Sequence, residues 1–513
     1  MMNPDTALPH EVDLVKKQEL EHLEFGSKEQ VSVVDPSTTN VLLETDDFGN
    51  EIVHIDQAAS DRLRRKIDLH IVPILALQYL FAFIDRANIG NARIAGLEKD
   101  LKLTGNQYNI LLSTLLNASF SFYVSYVIFE IPANLFTKWL GPGKAIPLFT
   151  VTFGILSLSC AFVNSYGAAL AVRFLLGLAE AGLFPGIGYY FGRWYRREEI
   201  TFRMGLYIAC APLAGGVGGL LASGILKIDG IGQVHSWQQI FLIEGIITTA
   251  IGIAAYILMA DRPETARWLS PEEKKLAADR IKADQVGSTT LLEGINVRAI
   301  KEGIFATTTL VNGLMFMLNN ITVTGVAFFA PTIVATIYPT KSTIQKQLYT
   351  VPPYIVGALC TCIFPYITTR VKRRGVVMLC TAPLVITGYI IFVSTTNSQA
   401  RYGALFLILA GSPSFGAFTN GWAAINVASD TARAAALGCV VMMGNCGGLI
   451  SIGNFLNLAT NITVLGLTGY LLLFIRHNNK KRDAGNYDHH LVGVRPEEAY
   501  KLGNNHPGFR YKT

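Results

Sequence analysis

Asp85, Arg86, Arg173 and Glu180 are ionisable side chains set inside long apolar stretches, where a charge needs a reason to be. Asp85 and Arg86 stand side by side in Phe-Ala-Phe-Ile-Asp-Arg-Ala-Asn-Ile-Gly-Asn-Ala, and Arg173 and Glu180 share Arg-Phe-Leu-Leu-Gly-Leu-Ala-Glu-Ala-Gly-Leu-Phe-Pro-Gly. If the stretches cross a bilayer, each ionised side chain costs at least ~2.5–3.5 kcal/mol at mid-membrane, so it persists where it faces a cavity and is paired. A spacing of seven residues puts Arg173 and Glu180 within about 20° of each other and two turns apart, so one helix face offers a cation and a carboxylate. A fixed cation attracts a carboxylate ligand, and an acid in a changing environment can take up and release a proton. Adjacent Asp85 and Arg86 cannot share a face of a straight helix, so one is expected to line a cavity and the other to brace a neighbouring helix. Glu130 is a third carboxylate, expected near a helix end where capping and snorkelling suffice.

The elements that must hold these residues follow from composition. The chain has 513 residues, 50% of them hydrophobic and 16% charged, against roughly 25% charged in a soluble domain. The apolar residues fall in blocks near 20 residues long, the length that crosses a hydrocarbon core of about 30 Å at about 1.5 Å per residue. Such blocks lie near residues 71–92, 110–136, 145–164, 168–191, 205–226 and 238–260, then 306–335, 350–369, 375–395, 402–426, 434–452 and 459–475. The expected fold is an all-α membrane protein of about twelve transmembrane helices in two six-helix halves. Its parts are a disordered tail (1–66), a first half (67–260), a linker (261–303), a second half (304–476) and a second tail (477–513). Within the linker, Ser270-Pro271-Glu272-Glu273 predicts a short helix capped by Ser270.

Loop charge sets the expected orientation. Basic clusters precede the first span (Arg62, Arg64, Arg65, Lys66) and follow the fourth (Arg193, Arg196, Arg197, Arg203), the eighth (Arg370, Lys372, Arg373, Arg374) and the last (Arg476, Lys480, Lys481, Arg482). With twelve spans these share one side, so both tails are expected to be cytosolic. Lys227, Lys341, Lys346 and Arg401 are scattered singly on the other side. Residues 1–66 lack the apolar core of a signal peptide. The net charge of +6 is spent on topology rather than on one basic face, which argues against a nucleic-acid partner. All seven cysteines fall in or beside apolar segments without metal or haem spacing, so no metal site or redox role is expected. The Asn-x-Ser/Thr matches at Asn117, Asn320 and Asn461 lie in or against membrane segments, which disfavours glycosylation.

The second half offers amides instead of charge: Asn319, Asn320 and Thr324 in the seventh span, Asn420, Trp422 and Asn426 in the tenth, and Asn445 in the eleventh. Asn320, Asn420 and Asn445 are candidate contacts to the neutral body of a substrate, although single Asn residues commonly serve as interhelical hydrogen bonds. Tyr189, Tyr190 and the aromatic-basic run through Arg197 read as an interfacial belt. Gly and Ala in the fifth span permit close helix approach.

Two six-span halves joined by a long linker are the plan of the major facilitator superfamily. Within it the chain resembles the fungal allantoate permease family of anion:cation symporters, from about Lys66 to Asp483. The pieces that carry the likeness are Asp-Arg-Ala-Asn-Ile-Gly-Asn-Ala at 85–92, Glu-Ile-Pro-Ala-Asn-Leu at 130–135, the run at 173–186, Ile-Glu-Gly at 243–245, Gln-Leu-Tyr-Thr-Val-Pro-Pro-Tyr at 347–354 and Ala-Ser-Asp-Thr-Ala-Arg at 428–433. Relatives of this kind import small organic anions such as allantoate, nicotinate, pantothenate and biotin with protons. The resemblance implies Asp85 and Glu180 as proton-coupling groups and Arg86 and Arg173 as anion contacts. Three features depart from it. The loop Lys-Trp-Leu-Gly-Pro-Gly-Lys (138–144) lacks the acidic residue of the superfamily motif, Ala-Pro-Leu-Ala-Gly-Gly (211–216) partly resembles a proton-antiporter motif, and residues 450–458 leave few positions for a turn between spans eleven and twelve.

The expectation is therefore a monomeric transporter at the fungal plasma membrane. It takes up a small organic anion with protons by alternating access, needs no cofactor beyond the proton gradient, and has the lipid bilayer as its surroundings. A proton-antiport exporter is the first rival and a non-transporting nutrient sensor the second. No nucleophile, metal cluster or phosphate loop points to an enzyme.

Overall fold

The computed structural model describes residues 56–101, 120–228, 234, 237–282, 297–340, 343–448, 454–491 and 502–513, and the regular structure among them is helical. Residues 1–55 of the first tail, the start of the second span with Asn117, and residues 449–453 of the short turn lie outside the described residues, while residues 57–66, expected to be disordered tail, form the first turns of α1. In the first half the helices are α1 (Gln57–Ile94), α2 (Phe120–Leu140), α3 (Pro142–Cys160), α4 (Tyr166–Glu180), α5 (Leu183–Trp194), α6 (Arg197–Ile208), α7 (Cys210–Ile225) and α8 (Trp237–Leu258). The linker carries α9 (Pro271–Lys282) and α10 (Val297–Phe305). The second half has α11 (Thr307–Ile337), α12 (Thr343–Val371), α13 (Arg374–Ser394), α14 (Ser398–Gly411), α15 (Ser414–Ile425), α16 (Asp430–Gly448) and α17 (Asn454–Asp483).

Joined end to end where a span is broken, these helices give ten segments long and apolar enough to cross a membrane. The other two of the expected twelve are α2 and α16, which abut residues outside the described set and carry Glu130 and Lys138, and Asp430, Arg433 and Asn445. Among the described residues three spans are broken, and proline accounts for each break. A proline has no N–H for the carbonyl four residues back. Pro185 follows the α4/α5 break, Pro212 the α6/α7 break, and Pro413 separates α14 from α15. Asn319 of α11 donates to the Ser412 carbonyl at 3.0 Å, so a side chain satisfies backbone that the last break frees.

Each half is a bundle with its own packing. In the first, α3 lies along α8, α1 against α7 and α8, and α2 against α4; in the second, α11 packs on α16 and α17, and α13 on α14 and α17. The halves meet where α2 crosses α16, where α6 and α7 lie on α12, and where α6 meets α15. At one crossing a side chain on Gly205 would stand 2.7 Å from the Thr361 carbonyl and from Pro365, so the backbones touch because Gly205 has no Cβ.

The linker helix α9 is capped as its sequence predicts. Ser270 Oγ accepts from Glu273 N–H at 3.2 Å while Glu273 Oε2 accepts from Ser270 N–H at 2.9 Å, a reciprocal capping box. The helix is bound to the first half rather than hanging free. Lys66 Nζ donates to Glu273 at 2.7 Å, buried Arg280 donates to Glu199 at 2.8 and 3.0 Å, and Trp268 stacks on Trp194 and His70. The Lys66 ammonium, with the Ser270 N–H, holds the Glu273 carboxyl below its usual range.

The chain beyond α17 folds back. Trp422 Nε1 donates to the Lys512 carbonyl at 2.8 Å, Asn426 exchanges two hydrogen bonds with the Lys512 backbone, and Asn479 exchanges two with Tyr511. The guanidinium of Arg482 lies over the rings of Tyr487, Phe509 and Tyr511. Phe509 is buried. A polar sequence without an evident motif is thus ordered by the amides and the arginine it meets at the ends of spans nine, ten and twelve.

Candidate functional site

The four membrane charges come together in two ion pairs between spans one and four. Arg86 Nε donates to Glu180 Oε2 at 2.7 Å, and Arg173 Nη1 lies 3.5 Å from Asp85 Oδ2. The pairing crosses over, and helix geometry explains it. The two spans run in opposite directions, and side chains lean toward the N-terminus of their own helix. Arg86 therefore leans inward to the deeper Glu180, while Arg173 leans outward to the shallower Asp85. The expectation that Asp85 and Arg86 part, one to a cavity and the other to a neighbouring helix, is corrected: in the structure both pair with span four, because the length of the arginine side chains lets them reach across.

Local sequence fixes each position. Ser165 caps α4, its Oγ accepting from Ala168 N–H at 3.3 Å, which sets the register that carries Arg173. Glu180 is the last residue of α4, directly before the break. Arg86 is wedged between the rings of Phe83 and Tyr126, 4.9 Å from each centroid, and Arg173 sits 5.1 Å from the Phe241 centroid. Such cation–π seats help keep a guanidinium in a dry site. Ser157 of span three donates to Asp85 Oδ1. Glu180 is fully buried, and Asp85 and Arg173 are nearly so.

A small recess is lined by Ile89, Leu97, Leu101, Val163, Trp237 and Phe241 together with Arg173. It lies on the face away from the basic clusters. Arg173 Nη2, Asp85 Oδ2 and Glu180 Oε1 are buried without a hydrogen-bond partner, so the cluster has unused capacity for an anion or a proton.

Two further acids adjoin this cluster. Glu244, in the middle of α8 and nearly fully buried, accepts from Asn88, which lies one turn beyond Asp85 on α1. It was visible in sequence within Ile-Glu-Gly at 243–245, and a lone carboxylate inside the sixth span was signal enough to include it. Glu130 is fully buried, so snorkelling does not serve it; Asn445 of the second half donates to its two oxygens at 3.2 and 3.1 Å.

The amides divide. Asn445 reaches the first half through Glu130. Asn320 donates to the Gly444 carbonyl at 2.8 Å within its own half. Asn420 donates to Gly416 of its own helix at 2.9 Å and keeps a buried, unpartnered Oδ1. It stands one turn from the basic end of its span, whereas Arg173 stands two turns from the opposite end of span four, so the fold does not bring the two together.

On the basic face the halves are tied by polar contacts. Tyr189 donates to Asp430 at 2.6 Å and accepts from Arg193, whose Nη1 lies 3.2 Å from Asp261. Lys138 donates to Thr431 and stands 3.9 Å from Asp430. Arg374 donates to Thr201 at 2.5 Å. The reading of Tyr189 and Tyr190 as an interfacial belt is corrected. Both are fully buried, because Asp430 and the Ala260 carbonyl supply hydrogen-bond partners inside the protein.

Two helical halves packed along their length, with paired charges buried in the first, define a multi-pass membrane carrier. Residues 75–452 match the Major Facilitator Superfamily. An uncharacterized transporter of Schizosaccharomyces pombe is 32% identical over 86% of this chain and 88% of its own length, and an MFS-type transporter of Hormonema carpetanum is 30% identical over 78% and 79%. The solved structure of the proton:xylose symporter XylE superposes with a TM-score of 0.62 at 14% identity, over 80% of this chain and 96% of that one. The chain belongs to the Major Facilitator Superfamily, and it is a transporter rather than an enzyme.

Proposed function

We propose that the chain takes up a small organic anion together with protons, by rocking of its halves about the buried charges. The observation that carries this reading is the pair of crossed ion pairs, Arg86–Glu180 and Arg173–Asp85, with unfilled bonding capacity on Arg173, Asp85 and Glu180. Each pair is neutral as it stands. A monocarboxylate entering along the recess would meet Arg173 first and compete with Asp85 for it. The site would then hold one negative charge too many, and an uncompensated charge in a low-dielectric site costs several kcal/mol or more. A proton taken up by Asp85 or Glu180 restores neutrality, so the anion and the proton are loaded together. Asp85 and Glu180 are the proton carriers on this reading, and Arg173 and Arg86 the anion contacts. Of the three amide candidates, Asn320 and Asn445 remain those that could face the body of the substrate.

The resemblance to allantoate permeases supports a carboxylate substrate such as allantoate, nicotinate or a related vitamin or nitrogen source. The loop charges support cytosolic tails, and the resemblance to nutrient permeases supports the plasma membrane as the site of action. The test is uptake of labelled allantoate, nicotinate, pantothenate and biotin by cells expressing the chain, with and without a proton uncoupler. Saturable uptake of one acid that the uncoupler abolishes is expected. Arg173→Ala should lose that uptake with protein still present at the membrane, and so should the charge-neutral double variant Asp85→Asn/Arg173→Ala. Normal saturable uptake by either would remove Arg173 from the site, and export of the acid against its gradient would favour the antiport reading.

A further inference from the structure

Glu130 stands apart from the other buried acids because its described partner belongs to the opposite half. The faces of α2 and α16 meet along a regular seam. Lys138 bonds Thr431, Asn134 donates to the Ala434 carbonyl at 2.5 Å, and Asn445 donates to Glu130. Residues 130, 134 and 138 share one helix face at i, i+4 and i+8, and 431, 434, 438 and 445 share the opposing face. The helices approach closely at Gly438, where a Cβ would lie 3.2 Å from Ile131 Cα and 3.5 Å from the Glu130 carbonyl, and the Glu130 side chain is fully buried.

Among the described residues, the titratable and charged groups near Glu130 are Arg86 from α1, Tyr126 one turn back on α2, and Cys439 and Cys446 from α16. Arg86 is already committed to Glu180 at 2.7 Å. A charged Glu130 in the closed seam is thus met chiefly by a neutral amide, and burying a carboxylate on those terms is expensive. A neutral Glu130 has no such cost, and its O–H can donate to the Asn445 oxygen once that amide turns.

We infer that Glu130 is a proton-carrying switch of the seam, whose protonation allows spans two and eleven to close and whose ionisation favours their parting. The inference rests on the alternating-access reading above and adds to it a group that feels both halves. The cycle balances. A proton from water on the open side converts the carboxylate to the acid, the O–H stays with Glu130 while the seam is closed, and it is released to water when the seam next parts. Arg86 links this switch to the charge cluster, because it touches Tyr126 and pairs with Glu180.

The experiment uses the full-length protein in detergent and needs no substrate. Alkylation of the native Cys446 and Cys439 by N-ethylmaleimide is followed by peptide mass spectrometry at about pH 5 and about pH 8, in the wild type and in Glu130→Gln, which keeps the shape and the hydrogen bond but cannot ionise. Taking the rate ratio of wild type to Glu130→Gln removes the pH dependence the two proteins share; the direct repulsion between an ionised Glu130 and a Cys446 thiolate lowers the ratio at the higher pH, so it opposes the expected rise and cannot imitate it. The ratio for Cys446 is expected to rise at least about threefold from the lower to the higher pH, as a shift of the closed population would produce. A ratio that stays constant overturns the inference.

A transport arm separates this inference from the proposed function. In the uptake assay above, Glu130→Gln should lower the accumulation ratio of the transported acid at least about tenfold while its exchange across the membrane persists. Uncoupler-sensitive accumulation at the wild-type level in Glu130→Gln sinks the switch and leaves the proposed function standing. A pH-dependent Cys446 ratio in a protein that moves none of the four acids supports the switch and sinks the proposed substrate class.

Discussion

At the residue scale, the crossed pairing decides which substitutions are informative. Removing Arg173 alone leaves Asp85 buried with Ser157, and breaking a buried pair by deleting one partner costs about 3–5 kcal/mol. Removing both charges avoids the stranded carboxylate. Arg173→Ala and Asp85→Asn should therefore each lower the thermal denaturation midpoint in detergent, with the double variant less affected than the sum. A double-mutant cycle should give a coupling of about 1–3 kcal/mol; additive effects would mean that the pair is not a pair. Sequence reached all four residues through the cost of a charge in lipid. It did not reach who bonds whom, because a helical wheel gives faces and not the lean of side chains across two opposed helices. Glu244 was legible by the same argument. Glu130 was legible as a residue but not as a seam residue, since burial depends on a helix 300 positions away.

At the element scale, breaks and close approaches matter more than helix count. Spans four and ten occupy corresponding places in the two halves, and both are interrupted, after Glu180 and at Pro413. Interrupted spans at matching positions are the expected mark of a carrier's central site. Gly205 is the position where α6 and α12 touch through backbone, so Gly205→Ala must push the halves apart there or strain both helices. A cost of about 1–3 kcal/mol is expected, read as a lower denaturation midpoint together with faster alkylation of Cys360 and Cys362 on α12. An unchanged midpoint and rate would show that the contact is loose. The linker helix is a second case. Arg280→Ala strips Glu199 of its closest cation and leaves Arg64 at 3.6 Å, for a loss of about 1–3 kcal/mol. Proteolysis within residues 283–296 should then quicken, and an unaltered cleavage rate would mean that α9 is held by Trp268 alone. Ser270 announced α9 in sequence; its docking on Glu199, Lys66 and the stacked Trp194 and Trp268 did not show, because those partners lie on other elements.

At the scale of the whole molecule, the halves are tied on the basic face by Tyr189–Asp430, Lys138–Thr431 and Arg374–Thr201, and the same face carries the folded-back residues 502–513. That segment adds contacts chiefly to the second half, and Lys512 also stands 3.9 Å from Glu198 of the first. Asn426 is fully buried and has its bonds to Lys512. Asn426→Ala should cost about 1–3 kcal/mol by leaving the Lys512 backbone groups short of partners, and limited proteolysis should cut near residues 502–513 sooner than in the wild type. Equal cutting would mean that the segment is held by Phe509 and Arg482 instead.

The helical membrane class, the two-half plan and the four membrane charges are legible in composition and spacing, because lipid penalises exposed backbone and buried charge heavily. The tertiary structure alone decided the crossed pairs, the buried Tyr189–Arg193–Asp430 network, the returned segment at 502–513 and the Glu130–Asn445 contact. Each of these joins residues far apart in the chain, and no local period encodes which distant face a side chain will meet.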